Sequence, residues 1–283
     1  MDKQEALRKL QHVELEILKT LSEFCENNQI TWWLDSGTAL GAIRHKGFIP
    51  WDDDVDVGMP RDDYNRFLLL AEAGLPDGYS LHTSRNTGAF AGLFSKIYKD
   101  GTRFENAESR ASGIIPGIFL DVFPYDFVPD DPKERKKVLH KTFMLQRRSF
   151  LYHSQVIVTP HRKGVVSFIE QEGCKLLHAA ETIVVRDPEH YQTLFDECVD
   201  RLPNKGMMCP LTWRTQPLFD ASVLLPTCAV EFEGYSFPAP GKTEAYLEQL
   251  YGNWRQIPDP EDRHTHLPLL LDFGDGTVWR QGD

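Results

Sequence analysis

Four aspartates fall within five positions, Asp52, Asp53, Asp54 and Asp56, and no lysine or arginine lies between Gly47 and Pro60 to neutralise them. Two carboxylates about 5 Å apart repel by roughly 3 kcal/mol at an effective dielectric near 20. A fold that gathers them therefore needs a cation, or carboxyl groups with a raised proton affinity. The residues between them show which way they point. Asp54-Val55-Asp56-Val57 alternates polar with apolar, and strand side chains alternate between faces. Val55 and Val57 then belong to a core, and Asp54 and Asp56 share the other face. Asp52 joins them if the extended geometry reaches back past Asp53. Hard carboxylate oxygens on one strand face suit Mg²⁺ or Mn²⁺, which take one or two carboxylates plus substrate phosphate and water. A solvated acidic turn is the plain alternative.

Upstream, Ser36-Gly37-Thr38 follows an apolar run at 30–34 and precedes a helix-like segment at 39–44. A small-residue turn there offers free N–H groups and the positive end of a helix to a phosphate. Ser36 or Thr38 serving as an ordinary N-cap accounts for the same residues. Placed just before an Asp-x-Asp strand, the turn completes what phosphoryl or nucleotidyl transfer requires: phosphate donors beside a divalent ion. In Phe94-Ser95-Lys96-Ile97-Tyr98, Lys96 lies opposite Ile97, either meeting a phosphate or solvated on an edge strand. Asp121 interrupts the apolar run from Ile118 to Phe123, where an unpaired buried carboxylate is costly. It is a capped or ion-paired group, or a further ligand.

The stretch Leu34-Asp35-Ser36-Gly37-Thr38-Ala39-Leu40-Gly41-Ala42-Ile43-Arg44-His45, continued by Ile49-Pro50-Trp51-Asp52-Asp53-Asp54-Val55-Asp56, closely resembles the LicD family. That family takes in bacterial phosphorylcholine transferases and, more distantly, fukutin and fukutin-related protein. Weaker echoes follow at 119–126, with Asp121-Val-Phe-Pro-Tyr-Asp126, and at 232–266, with the closing Arg263, His264 and His266. The resemblance implies a nucleotidyltransferase-type fold and metal-dependent transfer of phosphocholine, or a similar phospho-substituent, from a CDP-activated donor. The acceptor it implies is a hydroxyl of a cell-surface glycan precursor of the lipopolysaccharide or teichoic acid kind, free or lipid-linked, and CMP leaves. It also implies Asp52, Asp54, Asp56 and Asp121 as the catalytic and metal-holding set. Ser36, Gly37, Thr38, Arg44, His45, Lys96, Arg263 and His266 are then the residues for the donor phosphates or the acceptor. Two alternatives stand: a nucleotidyltransferase that moves NMP and releases pyrophosphate, and an inactive metal- or glycan-binding module. The zinc motif of the fukutin-related branch has no counterpart here.

The elements that must position these residues are legible from their periods. Residues 3–27 carry an apolar stripe at helical spacing, through Leu7, Leu10, Val13 or Glu14, Ile17, Leu18, Leu21 and Phe24, read as packing rather than chemistry. Short strand-like runs lie at 79–83, 93–98 and 118–123. A basic helix opens at Pro132-Lys133-Glu134-Arg135-Lys136-Lys137, as a solvated face or as an acceptor or lipid-headgroup surface. Further helices are expected near 164–180, 187–202 and 242–251, with a hairpin around Gly234. The expected class is α/β (α+β), a nucleotidyltransferase-like mixed sheet flanked by helices with an added helical subdomain. Its parts are a catalytic core at 1–130, the helical subdomain at 131–205, and 206–283 completing the catalytic domain.

The net charge of −11 argues against nucleic acid or an anionic membrane as the main partner. No run approaches the ~18 apolar residues of a membrane span. The opening MDKQEALRKL lacks the apolar core of a signal peptide. Five scattered cysteines without a C-x-x-C pair read as reduced thiols. The expected location is the cytoplasm, extending to peripheral contact at the inner face of its membrane.

Overall fold

Leu10, Ile17, Leu18 and Leu21 are fully buried, and they fix the inward face of the first helix, α1 (Lys3–Asn27). Burial of each such side chain contributes about 1.5–3 kcal/mol. Asp2 opens the helix by accepting from the Glu5 N–H at 2.9 Å while the Glu5 carboxylate accepts from the Asp2 N–H, a reciprocal cap. The structure is a computed structural model that describes residues 1–112, 115–154, 165–212, 217–263, 265 and 267–282.

Against α1 lies a mixed sheet. Its strands are β1 (Trp33–Leu34), β2 (Asp56–Pro60), β3 (Tyr79–His82), β4 (Ser95–Lys99) and β6 (Ile118–Phe127), in the order β1-β2-β6-β4-β3. β2 and β6 run parallel and the other neighbours antiparallel. The far end of β6 pairs with β7 (Met207–Cys209), which pairs with β8 (Phe219–Asp220). Helix α2 (Ser36–His45) links β1 to the acidic loop, and α3 (Arg61–Gly74) follows β2. Gly58 is required in β2 because the Trp33 indole lies across it; an added Cβ would stand 2.5 Å from Nε1.

A small sheet at one side pairs β5 (Arg103–Glu105) with β11 (Leu270–Asp272), and β11 with β12 (Val278–Arg280). The short helix α4 (Ala107–Ser112) follows β5. Three helices, α5 (Pro132–His153), α6 (Val165–Val184) and α7 (His190–Val199), gather around a second apolar cluster containing Val128, Leu145, Tyr191, Phe195 and Val199. The helical turn α8 (Ala221–Leu224) precedes the hairpin β9 (Cys228–Phe232) and β10 (Tyr235–Ala239). Its turn places Glu233 at φ 51° and Gly234 at φ 79°, the left-handed pair a tight hairpin favours. Helix α9 (Thr243–Tyr251) ends at Gly252. Among the described residues, no helix is long and apolar enough to cross a membrane.

Candidate active site

Strand register decides what meets what. Parallel pairing of β2 with β6 sets Asp56 opposite Asp121, and antiparallel pairing of β4 with β6 sets Lys96 opposite the same Asp121. The Lys96 ammonium lies 2.6 Å from Asp121 Oδ1. It also sits 3.4 Å from the centre of the Phe119 ring. Ladder strand begins only at Asp56, but the extended chain continues back from it: the Asp121 N–H donates to Val55 O at 2.9 Å. Alternation holds along this segment. Val55 and Val57 are fully buried, while Asp52, Asp54 and Asp56 line one cleft of about 790 Å³ together with Asp121, Lys96, Ser36 and Gly37. Asp53 is buried off that wall.

Helix α2 begins at Ser36, the first residue of the turn read from the sequence and three residues before the helical segment expected at 39–44, and its cap is Asp35 rather than Ser36 or Thr38. Asp35 is fully buried and collects three donors. The Ser36 N–H donates to it at 2.8 Å, the Tyr125 hydroxyl donates to its two oxygens at 2.9 and 3.0 Å, and the Tyr246 hydroxyl of α9 donates as well. Burial raises the proton affinity of Asp35, and the two tyrosines and the Ser36 N–H counter it. This network fixes Ser36 at φ 45°, outside the region a serine prefers. A Cβ on Gly37 would stand 3.0 Å from Asp52 Oδ2, so the glycine admits the acidic loop against the first turn of α2.

The acids are under-neutralised. Burial, then the charges of Asp54 and Asp53, push the Asp52 carboxyl up to about 8, with Arg44 opposing. Asp56 is held well above the usual carboxylate range by burial, then by Asp54 and Asp121. At Asp121 burial raises and Lys96 lowers. A fifth carboxyl reaches this group from α1. Glu14 is 1 % exposed, its Oε2 has no hydrogen-bond partner among the described residues, and burial followed by Asp54, Asp53, Asp52 and Asp121 raises it well above its ordinary value. One turn earlier on α1, Gln11 donates to Asp52 O at 2.9 Å and steadies the loop. Among the described residues no three Asp, Glu, His or Cys side chains already converge as a ligand cage. The donor set, hard oxygens in excess of cations with an orphaned buried carboxyl oxygen behind them, fits an ion that draws few ligands from protein and the rest from phosphate and water.

Away from the acids the cleft is walled by aromatic rings. Phe94 lies tilted against Phe123 with centroids 4.7 Å apart, Phe104 meets Phe119 at 5.1 Å, and Phe90, Tyr98 and Tyr251 add further rings to the lining.

Residues 29–164 match the LicD/FKTN/FKRP nucleotidyltransferase domain. Over 267 residues, spanning 92% of this chain and 95% of the relative, the sequence is 29% identical to the lipopolysaccharide cholinephosphotransferase LicD of Haemophilus influenzae. The chain is thus similar to the LicD family, through its nucleotidyltransferase domain and, over nearly the whole length, through one of its members. More local matches within the family reach the ribitol-5-phosphate transferase FKTN of Mus musculus, 41% identical over 63 residues covering 22% of this chain and 14% of that one. The ribitol 5-phosphate transferase FKRP of Homo sapiens is 47% identical over 47 residues, 16% of this chain and 10% of its own.

Not every residue singled out from the LicD-like motifs reaches the cleft. Thr38 is 4 % exposed, and its hydroxyl accepts from the Asp56 N–H at 2.9 Å, so it fastens the acidic strand to α2 instead of lining the cleft. Arg44 and His45 lie at the other end of α2. Arg44 Nε donates to His45 Nε2 at 2.9 Å, and its Nη1 donates to the carbonyls of Trp254 and Gln256 at 3.0 and 3.3 Å. Neither is on the cleft lining. Arg263 stacks over Trp51 at 4.6 Å and donates to Pro258 O, outside the acidic wall. His266, like His264, lies outside the described residues. Glu14 and Gln11 carry parts of the site outside the motifs, and Tyr125 and Tyr246 lie within the weaker echoes at 119–126 and 232–266 without having been singled out. The signal for the first two was polar residues on the buried stripe of α1.

Proposed function

We propose that this chain transfers phosphocholine, or a closely similar phospho-substituent, from a CDP-activated donor to a hydroxyl of a glycan, releasing CMP. The chain is a LicD-like phosphotransferase, and the relative similar over nearly its whole length is named for cholinephosphate transfer to lipopolysaccharide. The observation that carries the reading is the meeting of Asp54, Asp56 and Asp121 on two parallel strands, on the wall that the first turn of α2 shares.

Asp54, Asp56 and Asp121, with Asp52 beside them, would hold Mg²⁺ or Mn²⁺. Such an ion, when bound, would supply positive charge toward the donor phosphates. The chain's own residues do the rest. The Ser36 N–H is given to Asp35, so the backbone N–H of Gly37, in the first turn at the positive end of α2, takes a donor phosphate oxygen. Lys96 offsets Asp121 and offers its charge to the transferring phosphate. The acceptor oxygen attacks the phosphorus bearing the transferred group, a new P–O bond forms, and the bond to CMP breaks. Asp52, in its deprotonated form, would take the proton from the hydroxyl. The aromatic half of the cleft supports a methylated ammonium over a polyol. Ring faces attract a cation that has no hydrogen bonds to satisfy, whereas the hydroxyls of a polyol would lose water there without recompense.

The test is to incubate the purified chain and Mg²⁺ with a glycan acceptor and, separately, CDP-choline, CDP-ribitol or CTP. CMP formed from CDP-choline in step with acceptor modification is the expected result. Pyrophosphate from CTP would make the chain a nucleotidyltransferase, and CMP from CDP-ribitol alone would overturn the choline-type assignment.

A further inference from the structure

Outside the cleft, α5 and α6 carry charge and apolar surface in an arrangement the body of the protein does not use. α5 buries the stripe Thr142, Leu145, Gln146, Ser149 and His153. Gln146 and Ser149 donate to Ala91 O at 3.0 and 2.8 Å, which fastens the helix to the cleft wall. Its opposite face is left to solvent, with Lys133, Lys136, Lys137, Lys141, Arg147 and Arg148 exposed around Met144. The helix holds seven Lys and Arg against one Glu, in a chain whose net charge is −11.

α6 lies alongside with its amphipathicity reversed. His178 Nδ1 is 2.8 Å from Leu151 O, and Glu181 meets Arg148 at 3.1 Å and accepts from the Tyr191 hydroxyl, so polar side chains point inward to α5 and α7. Leu176, Ile183 and Val184, seven and eight residues apart on one side, are 73, 73 and 78 % exposed, and Leu177 beside them is 57 % exposed. A surface helix of a soluble body turns such a stripe toward its core; turned outward, the stripe requires an apolar medium beyond the protein. The Arg148–Glu181 pair joins the two helices, so cations and apolar side chains form one surface. A second copy of the chain is a poor occupant, since a two-fold contact would set one cationic helix against another. An anionic bilayer matches both halves. Lys and Arg extend their heads to lipid phosphates while apolar side chains enter the acyl boundary. Charges elsewhere on the chain are screened beyond about 8 Å at physiological salt, so the local cations govern this contact despite the net negative charge. The surface also leads to the cleft: Phe150, 44 % exposed, His153 and Ser154 at the end of α5 are part of the cleft lining.

We propose that α5 and α6 form a docking surface for an anionic lipid bilayer, which sets the cleft entrance beside the membrane. The test is flotation of the full chain with vesicles of phosphatidylcholine, alone or mixed with phosphatidylglycerol, at low and high salt. The wild type is expected to float with the mixed vesicles only, and less at high salt. The pair Lys136→Glu and Lys137→Glu should weaken partition by at least about 25-fold, since each cation near the surface contributes roughly fivefold. Ile183→Glu should weaken it by about tenfold. Both variants should keep the wild-type melting temperature and CMP release with a soluble acceptor. Wild type that stays unbound, variants that float like wild type, or equal binding to both vesicle types would each overturn the proposal. So would a change in sedimenting mass in Ile183→Glu without a change in flotation, which would assign the face to a second copy.

Discussion

Strand β6 carries two buried aspartates five residues apart, and they have opposite surroundings. Asp126, at the far end, is gripped by Arg61 of α3 through two hydrogen bonds of 2.7 Å, one to each carboxylate oxygen. Asp121, at the near end, is paired with the Lys96 ammonium and has the like charge of Asp54 close by, while Asp121 in turn raises Asp56. Burial raises both carboxyls, each has a cation lowering it, and one like charge opposes that cation in each case, Asp54 at Asp121 and Asp196 at Asp126. The ends differ in that Asp121 belongs to a cleft wall where Asp52, Asp54 and Asp56 gather, and Asp126 does not. A buried carboxylate with a matched guanidinium is structural, because removing either partner leaves an uncompensated charge. A buried group of carboxylates with too little positive charge destabilises the fold, and its retention marks the place where a ligand supplies the missing charge.

The largest test of that contrast is Asp56→Asn. If the cleft acids act on the donor, CMP release should fall at least about 10⁴-fold, roughly 5.5 kcal/mol, with circular dichroism unchanged. Turnover within tenfold of wild type would remove Asp56 from the chemistry. At the other end, Arg61→Met should cost about 3–5 kcal/mol of stability in urea unfolding, and Arg61→Met with Asp126→Leu should regain most of it. A neutral single variant would show that Asp126 is no more structural than Asp121.

The smallest effect is a pH signature. Asp52 rises from an ordinary 3.8 to about 8 on folding, so between those values the folded chain holds a proton the unfolded chain has lost. Stability from this group is full below about 4 and falls as pH rises toward 8. In chelator, the melting temperature should therefore drop by a few degrees from pH 6 to pH 8, about 1–2 kcal/mol. Mg²⁺ should restore more of it at pH 8 than at pH 6, and Asp52→Asn should flatten the slope. Equal melting temperatures across that range in chelator would contradict the picture of crowded, desolvated acids.

Period-two alternation made the acidic wall legible, because Val55 and Val57 have only one place to go and the aspartates take the other. A single carboxylate in an apolar run marked Asp121 for the same reason. What failed was carrying sequence neighbours along. Arg44 and His45 follow Gly37 closely, but a helix rises 1.5 Å per residue, so seven residues carry Arg44 roughly 10 Å from the first turn. Thr38, on the buried side of α2, was spent on holding the Asp56 backbone. Glu14 was admitted to the α1 stripe only as a packing alternative to Val13, and Gln11 was not singled out. Partners from distant segments, such as Tyr246 on Asp35 and β11 on β5, leave no local trace, since nothing in either stretch names the other.

The hydroxyl of Tyr246 has a consequence for how the protein comes into being. The segment matched to the family domain ends at residue 164, yet the bend at Ser36 is completed by a side chain more than two hundred positions downstream. During synthesis the first turn of α2 would wait, with Asp35 short of a donor, until α9 has emerged. Completion of that turn is thereby withheld from a nascent fragment, and a chain cut short before α9 would carry every acidic residue of the cleft and still lack the brace that sets it.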